Sequence, residues 1–323
     1  DMKPPLVAVT DSVFASLEPT YKILATLNAD IRLAKEPTPD AILEIAREAD
    51  ALLVTYASIT SEIINELENC RVIGRFGIGV DNIDLDRATK AGIQVCYVPD
   101  YCLDEVSDHA MSLLLSLARK ISFGNHQVQS LSWKAKSVAP IWRIRDRILG
   151  LYGFGKIPQT LVTKAQAFNL NVIAHDPYVA PDLAANLGVE LVSFESLLEQ
   201  SDYISIHAPL TPETQHAFNA DAFLKMKPEA LLINTARGAL VDEQALASAL
   251  DKGQLAGAAL DVMETEPPLD DSPLLKRDNV ILTPHTAFYS EEALLELQTK
   301  ATEDVVRVLL GDQPRYPINK PSG

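Results

Sequence analysis

Six short apolar runs from Ile148 onward in the 323-residue chain end in residues that can do chemistry. Ile148–Tyr152 runs into Gly153-Phe154-Gly155, and Asn171–His175 into Asp176. Tyr203–Ile206 is followed by His207-Ala208-Pro209, and Ala230–Asn234 by Thr235-Ala236-Arg237-Gly238. Ala256–Leu260 leads to Asp261, and Asn279–Thr283 to Pro284-His285. Closely spaced glycines let a backbone approach a pyrophosphate at a helix N-terminus, where aligned dipoles favour an anion. An aspartate 23 positions after Gly153 (176 − 153) suits the hydroxyls of an adenosine ribose. Its charge repels a 2′-phosphate, which points to NAD rather than NADP. The planar fork of an arginine suits a carboxylate and can polarise a carbonyl oxygen. Histidine gives or takes a proton near neutral pH. One polar residue after a strand is ordinary capping; a whole set matched to one dinucleotide is a candidate site. Lys156 and Ile157 open the following helix and belong with the glycine turn.

Of 14 glycines, six fall into two groups, Gly74, Gly77 and Gly79, and Gly150, Gly153 and Gly155. In a glycine-poor chain this marks two places where backbone meets something small. Pro158 stands where a third glycine of the G-x-G-x-x-G pattern would be. A proline is tolerated in a first helical turn because its missing N–H has no helical partner there.

Short apolar runs alternate with amphipathic stretches throughout, which predicts an α/β protein of two doubly wound parallel-sheet domains. Strands are expected at Leu6–Thr10, Ala51–Thr55, Arg71–Arg75 and Ile93–Val98. Helices are expected near Pro19–Leu27, Asp40–Glu48, Ser61–Leu67 and Leu85–Ala91, giving a flavodoxin-like first domain. A long helix from Leu103 to Ile121 follows, then an irregular arm, Ser122–Arg147, carrying Trp133 and Trp142. The six strands above make a Rossmann domain, since ligands of open parallel sheets bind beyond the strands' carboxyl ends. The tail from Glu291 to Leu310 reads as a closing helix packing back on the first domain. The expected division is residues 1–101 with 290–323, a substrate and catalytic domain, and 102–289, the NAD-binding domain.

Composition narrows the partners. Hydrophobic residues make up 47% and charged residues 22%, which suits a packed soluble protein. A net charge of −16 argues against nucleic acid, which needs clustered Lys and Arg. The longest strongly apolar helical stretch, Ala110–Ala118, falls short of the roughly 20 residues that cross a bilayer. The N-terminus lacks an apolar signal region. Cys70, Cys96 and Cys102 have no CxxC spacing and read as reduced cytosolic thiols. Cytoplasmic location, no metal and no membrane are therefore expected.

Five ordered segments carry a resemblance along essentially the whole chain. They are Arg75-Phe-Gly-Ile-Gly-Val-Asp-Asn-Ile-Asp84, the Gly153 turn through Asp176, Asn234-Thr-Ala-Arg-Gly238, Leu260-Asp-Val-Met-Glu-Thr-Glu-Pro267 and Thr283-Pro-His285. Together they resemble the D-isomer-specific 2-hydroxyacid dehydrogenases. Within that family His285-Thr-Ala-Phe-Tyr-Ser290 and Arg75 are most similar to the C-terminal-binding-protein group.

The resemblance implies NAD as cofactor, a 2-keto or 2-hydroxy acid as substrate, and Arg237, Glu266 and His285 as catalytic residues. His285 would exchange the proton, Glu266 would orient its ring, and Arg237 would hold the carboxylate and polarise the keto oxygen. Glu264 competes with Glu266; the latter is preferred because the family's catalytic acid directly precedes the proline. The resemblance also implies that backbone N–H groups of Phe76, Gly77 and Ile78 hold the substrate carboxylate, with Arg75 adding charge. Asp261 would take the nicotinamide carboxamide, and Phe288 would line the substrate pocket. His109, His175 and His207 read as structural or peripheral, though the His207 turn is counted with the cofactor site. The family dimerises through the long helix and the following arm, so a homodimer is expected. With the chain ending at 323, the regulatory domain of some phosphoglycerate dehydrogenases is not expected. The alternatives are an NAD-responsive corepressor, which the subgroup includes, and, less favoured, a phosphite or formate dehydrogenase.

Overall fold

The computed structural model describes residues 3–321. It divides into two compact units, one running to Tyr101 and resuming at Ser290, the other spanning Cys102–Tyr289.

In the first unit β1 (Leu6–Val9), β2 (Asp30–Leu33), β3 (Ala51–Val54), β4 (Val72–Arg75) and β5 (Gln94–Cys96) form a parallel sheet. Their order, β2-β1-β3-β4-β5, is that of flavodoxin-like sheets. β1, β3 and β4 are buried at every position, as continuous apolar runs are when helices cover both faces. One face packs Ile42, Ile63 and Ala88 of three short helices onto Leu52, Val54, Ile73 and Val95. The other carries the Glu291–Leu310 helix, the tail element expected from the sequence. It starts at Ser290, whose side chain accepts the Ala293 N–H, and stops at Gly311 with φ +89°. Buried Gln298 Oε1 accepts both the N–H and the hydroxyl of Thr20, tying the tail to the Glu18–Leu24 helix. Beyond the helix, Tyr316 O accepts the Tyr97 N–H, and the Ile318 N–H donates to Val95 O, covering the free edge of β5.

β2 is absent from the sequence reading for a physical reason. It is an edge strand, mostly exposed, and Asp-Ile-Arg-Leu carries no buried run.

The second unit is a seven-stranded parallel sheet. Its strands are β6 (Ile148–Tyr152), β7 (Asn171–His175), β8 (Glu190–Leu191), β9 (Tyr203–Ile206), β10 (Leu231–Asn234), β11 (Gly257–Leu260) and β12 (Val280–Leu282). The order β12-β11-β10-β9-β6-β7-β8 reverses direction between β6 and β9, the switch point of a Rossmann sheet. One apolar cluster lies around Phe218, Phe223, Leu232 and Leu246, and a second around Leu114, Leu151, Phe154 and Leu161. β8, two residues long, was also not expected. The long helix is shorter than expected, Leu103–Ala118, and Lys120 at φ +51° interrupts it. Ile121–Gln129 then forms a separate helix inside the stretch read as irregular. No helix among the described residues is long and apolar enough to cross a membrane.

The two glycine groups are not uniformly ligand-facing. A Cβ on Gly74 would meet Val305 Cγ2 at 2.6 Å, and one on Gly150 would meet Ser201 Oγ at 2.1 Å. Both glycines admit a helix against a strand. The Ser201 hydroxyl is itself fixed, donating to Leu197 O at 2.6 Å. Gly150→Val is therefore expected to lower the unfolding free energy by about 1–3 kcal/mol through overpacking. A urea transition with an unshifted midpoint would show that this helix yields freely.

Candidate active site

Gly153 ends β6 at φ +93°, where a Cβ would lie 2.7 Å from the Ala208 nitrogen. No side chain fits between the ends of β6 and β9. The turn is pinned by the Gly153 N–H donating to His175 O and the His207 N–H donating to Tyr152 O. Gly155 is the opposite case: nothing lies within 4 Å of where its Cβ would be. It caps the Lys156–Ala167 helix without any side-chain cap, so first-turn N–H groups remain for an anion. Pro158 is buried in that turn, where a prolyl nitrogen gives up no helical bond.

Asp176 accepts the Phe154 N–H on Oδ2 (2.8 Å) and the Tyr178 N–H on Oδ1 (2.9 Å), fixing its carboxylate beside the glycine turn. Each oxygen retains acceptor capacity for a ribose hydroxyl. Thr235 Oγ1 is buried without a hydrogen-bond partner, an orphaned group of the kind a ligand completes. Burial pushes the His207 imidazole down to about 3, so it is neutral at pH 7, with Nε2 2.8 Å from Ser205 Oγ. Ala208 is buried and Pro209 O accepts the Thr214 hydroxyl, while the Ala236 N–H goes to Asn234 Oδ1. A tight turn, an open helix terminus, a fixed carboxylate and an orphaned hydroxyl fit a dinucleotide.

At the same carboxyl edge, beyond β12, His285 Nδ1 lies 2.7 Å from Glu266 Oε2. Glu266 Oε1 also accepts the Met263 N–H, at 3.0 Å. Partial burial pushes the Glu266 carboxyl up. The bonds from His285 and Met263, with the charges of His285 and Arg237, outweigh that and hold it below its usual range. An ionised carboxylate only accepts, so Nδ1 carries a proton and the proton chemistry falls to Nε2. Glu264 is elsewhere, with Oε1 accepting the Glu243 N–H and Oε2 3.1 Å from His216 Nε2. Glu266, and not Glu264, is the acid in contact with His285.

Arg237 sits on a loop locked from below. Buried Asn234 donates to Arg237 O at 2.8 Å, and a Cβ on Gly238 would strike the Met263 carbonyl at 2.0 Å. The Arg237 Nη1 donates to Ala236 O. The Phe288 ring stands edge-on to His285, centroids 6.2 Å apart.

Two sets of groups expected to meet a ligand are engaged within the chain. The Asp261 side chain is fully buried. Oδ1 accepts the Thr283 hydroxyl at 2.5 Å and the Thr286 N–H at 3.0 Å, and Oδ2 accepts the Ala287 N–H at 2.8 Å. It braces the loop that carries His285. In the first unit, two of the three N–H groups expected to hold a carboxylate are spent internally. Phe76 donates to Val54 O at 2.8 Å and Gly77 to Arg75 O at 3.0 Å; Ile78 is half-exposed. Arg75 is buried, donates to Phe76 O, and lies 5.7 Å from the Tyr56 ring.

Sequence reasoning also missed Asp11, whose carboxylate accepts the N–H groups of Thr55, Tyr56 and Ala57 and shapes that loop. His109, set aside as structural, lies 3.0 Å from Thr283 Oγ1. Its signal was invisible because its partners are more than 150 positions away (261 − 109 = 152).

Residues 111–287 match the family described as D-isomer specific 2-hydroxyacid dehydrogenase, NAD binding domain. The chain is 38% identical over 318 residues to a D-3-phosphoglycerate dehydrogenase of Methanocaldococcus jannaschii, covering 98% of this chain and 60% of that protein. It spans 47–60% of the length of the curated relatives it matches. Among solved structures it resembles a D-lactate dehydrogenase of Aquifex aeolicus complexed with NAD and lactic acid, with TM-score 0.89 and 28% identity. That match covers 98% of this chain and all of the other. A glyoxylate reductase from Paecilomyes thermophila superposes with TM-score 0.90 at 26% identity, covering 98% and 99% of the two chains.

The Asp261 brace has a pH signature. Burial raises this carboxyl, but the bonds from His109, Thr283, Thr286 and Ala287 together lower it below its ordinary 3.8. A depressed folded-state value stabilises the protein above 3.8, and the contribution is lost as pH falls through the folded value. Asp261→Asn is expected to lose about 1–3 kcal/mol at pH 7, with the gap to wild type shrinking below about pH 4. Denaturant titrations with a pH-independent gap would refute the assignment.

Proposed function

The chain belongs to the D-isomer-specific 2-hydroxyacid dehydrogenases, and we propose that it is an NADH-dependent enzyme interconverting a 2-keto acid and a D-2-hydroxy acid. The observation that carries this is the 2.7 Å contact of His285 Nδ1 with Glu266, within the electrostatic reach of Arg237. Bound NADH would supply the hydride to the keto carbon, and Gly153, Gly155, Lys156, Ile157, Asp176, His207, Ala208, Pro209, Thr235 and Ala236 would hold it.

His285 Nε2 donates a proton to the oxygen as negative charge develops there, and accepts it back in the oxidative direction. Glu266 accepts the Nδ1 proton and so fixes the orientation of the ring. Arg237 pairs with the substrate carboxylate and polarises the keto oxygen. Asp176 repels a 2′-phosphate, so NADH is preferred to NADPH.

For the substrate we infer a 2-keto acid with a medium-sized apolar or thioether side chain. The stretch Leu53–Thr60 has no cation to meet a phosphate. Phe288 beside His285 offers an aromatic wall, which rewards apolar and sulfur-containing groups. Such a substrate differs from the phosphorylated acid named for the Methanocaldococcus relative.

The test is NADH oxidation with pyruvate, glyoxylate, 4-methylthio-2-oxobutyrate and 3-phosphohydroxypyruvate. The larger apolar and thioether acids are expected to give the highest kcat/KM. His285→Ala, Arg237→Ala and Glu266→Ala should each lose turnover while still binding NADH, with strongly non-additive effects because the three act as a unit. Near wild-type turnover by His285→Ala would sink the proton-transfer role. Asp176→Ala should narrow the preference for NADH over NADPH; equal Michaelis constants for the two cofactors in the wild type would refute the preference.

We also infer a homodimer formed through the second unit. Leu131 and Trp133 of the arm are 95% and 86% exposed, an apolar surface that association would cover. Light scattering at micromolar concentration should give twice the chain mass; a monomer would contradict it.

A further inference from the structure

We propose that His109 is a positioning residue for His285, locking the Thr283–Phe288 loop to the Leu103–Ala118 helix through Thr283 and Asp261. His109 Nε2 lies 3.0 Å from Thr283 Oγ1 and 3.4 Å from Asp261 Oδ1. The single hydroxyl proton of Thr283 is committed to Asp261 Oδ1 at 2.5 Å. Toward His109 that oxygen can therefore only accept, which requires the proton on Nε2. The chain of bonds then continues into the loop backbone. The Asp261 carboxylate takes the N–H groups of Thr286 and Ala287, and the Asp261 carbonyl takes the N–H of His285 at 2.8 Å. A single residue thus grips the backbone at His285 and at the two positions after it.

The grip matters because His285 stands at φ +53°, a left-handed conformation that costs energy for a side-chain-bearing residue and persists only when its surroundings impose it. The Asp261 side chain is fully buried, so it needs donors on every side, and His109 is the one that comes from another element. Releasing the loop would let His285 turn away from Glu266 without removing either side chain. The consequence for turnover rests on the dehydrogenase reading, in which His285 moves the proton; the consequence for the loop does not.

The experiment compares wild type, His109→Ala and His109→Gln. Glutamine sets an amide N–H near the position of Nε2 and can still donate to Thr283. His109→Ala should lower kcat about 10- to 100-fold, the scale of a misplaced catalytic group, with the Kd for NADH unchanged. Amide exchange across residues 283–288 should quicken in the same variant. His109→Gln should restore most of both. Unchanged kcat and unchanged exchange in His109→Ala overturn the proposal, and so does a glutamine variant as impaired as the alanine one. Wild type inactive on every keto acid would defeat the dehydrogenase reading instead, and the exchange data alone would then decide the brace.

Discussion

In a parallel sheet every strand points the same way, so every strand's carboxyl end falls on one edge. That constraint organises the second unit. β6, β9, β10 and β11 are buried runs, β7 and β12 are partly buried ones, and the chemistry sits in the residues just past the carboxyl ends of these strands. Residues as distant in sequence as Gly153 and His285 are delivered to the same edge because hydrogen-bonded strands cannot do otherwise. The first unit obeys the same rule: Asp11 after β1 receives the loop after β3, and the loop starting at Phe76 comes after β4.

Delivery to an edge is coarse, and the side chains there are set by a second device. The chain carries 44 acidic residues against 28 basic ones, and several acids serve as loop anchors rather than as surface charge. Asp11, Asp176, Asp202, Asp261 and Asp304 each accept backbone N–H groups. A carboxylate accepting such bonds is stabilised as an anion, and each N–H it takes is a donor that an irregular loop would otherwise strand. The Asp261 case links this architecture to reactivity, because the anchored loop carries the proton-transfer candidate. The same logic explains why Glu264 and Glu266, two positions apart, have different roles: one pairs with His216 and the Glu243 N–H, the other with His285.

Alternating apolar and amphipathic segments determined the α/β class, the two parallel sheets and the closing helix from Glu291, because buried parallel strands must be continuously apolar. The strand-end residues were legible for the same reason. β2 was not, since an edge strand needs no apolar face, and neither was the break at Lys120, a single left-handed residue inside a helical pattern. The glycines show the limit most clearly. Spacing alone made Gly74 and Gly150 equivalent to Gly153, whereas packing against Val305 and Ser201 makes them sites of close helix approach. Residue type also could not tell Asp176, fixed beside an open helix terminus, from Asp261, sealed beneath a loop. The sequence determined which chemistry reached the sheet edge. Tertiary structure decided which groups face a ligand and which hold the others in place, because that depends on hydrogen bonds between residues such as His109 and Thr283, 174 positions apart.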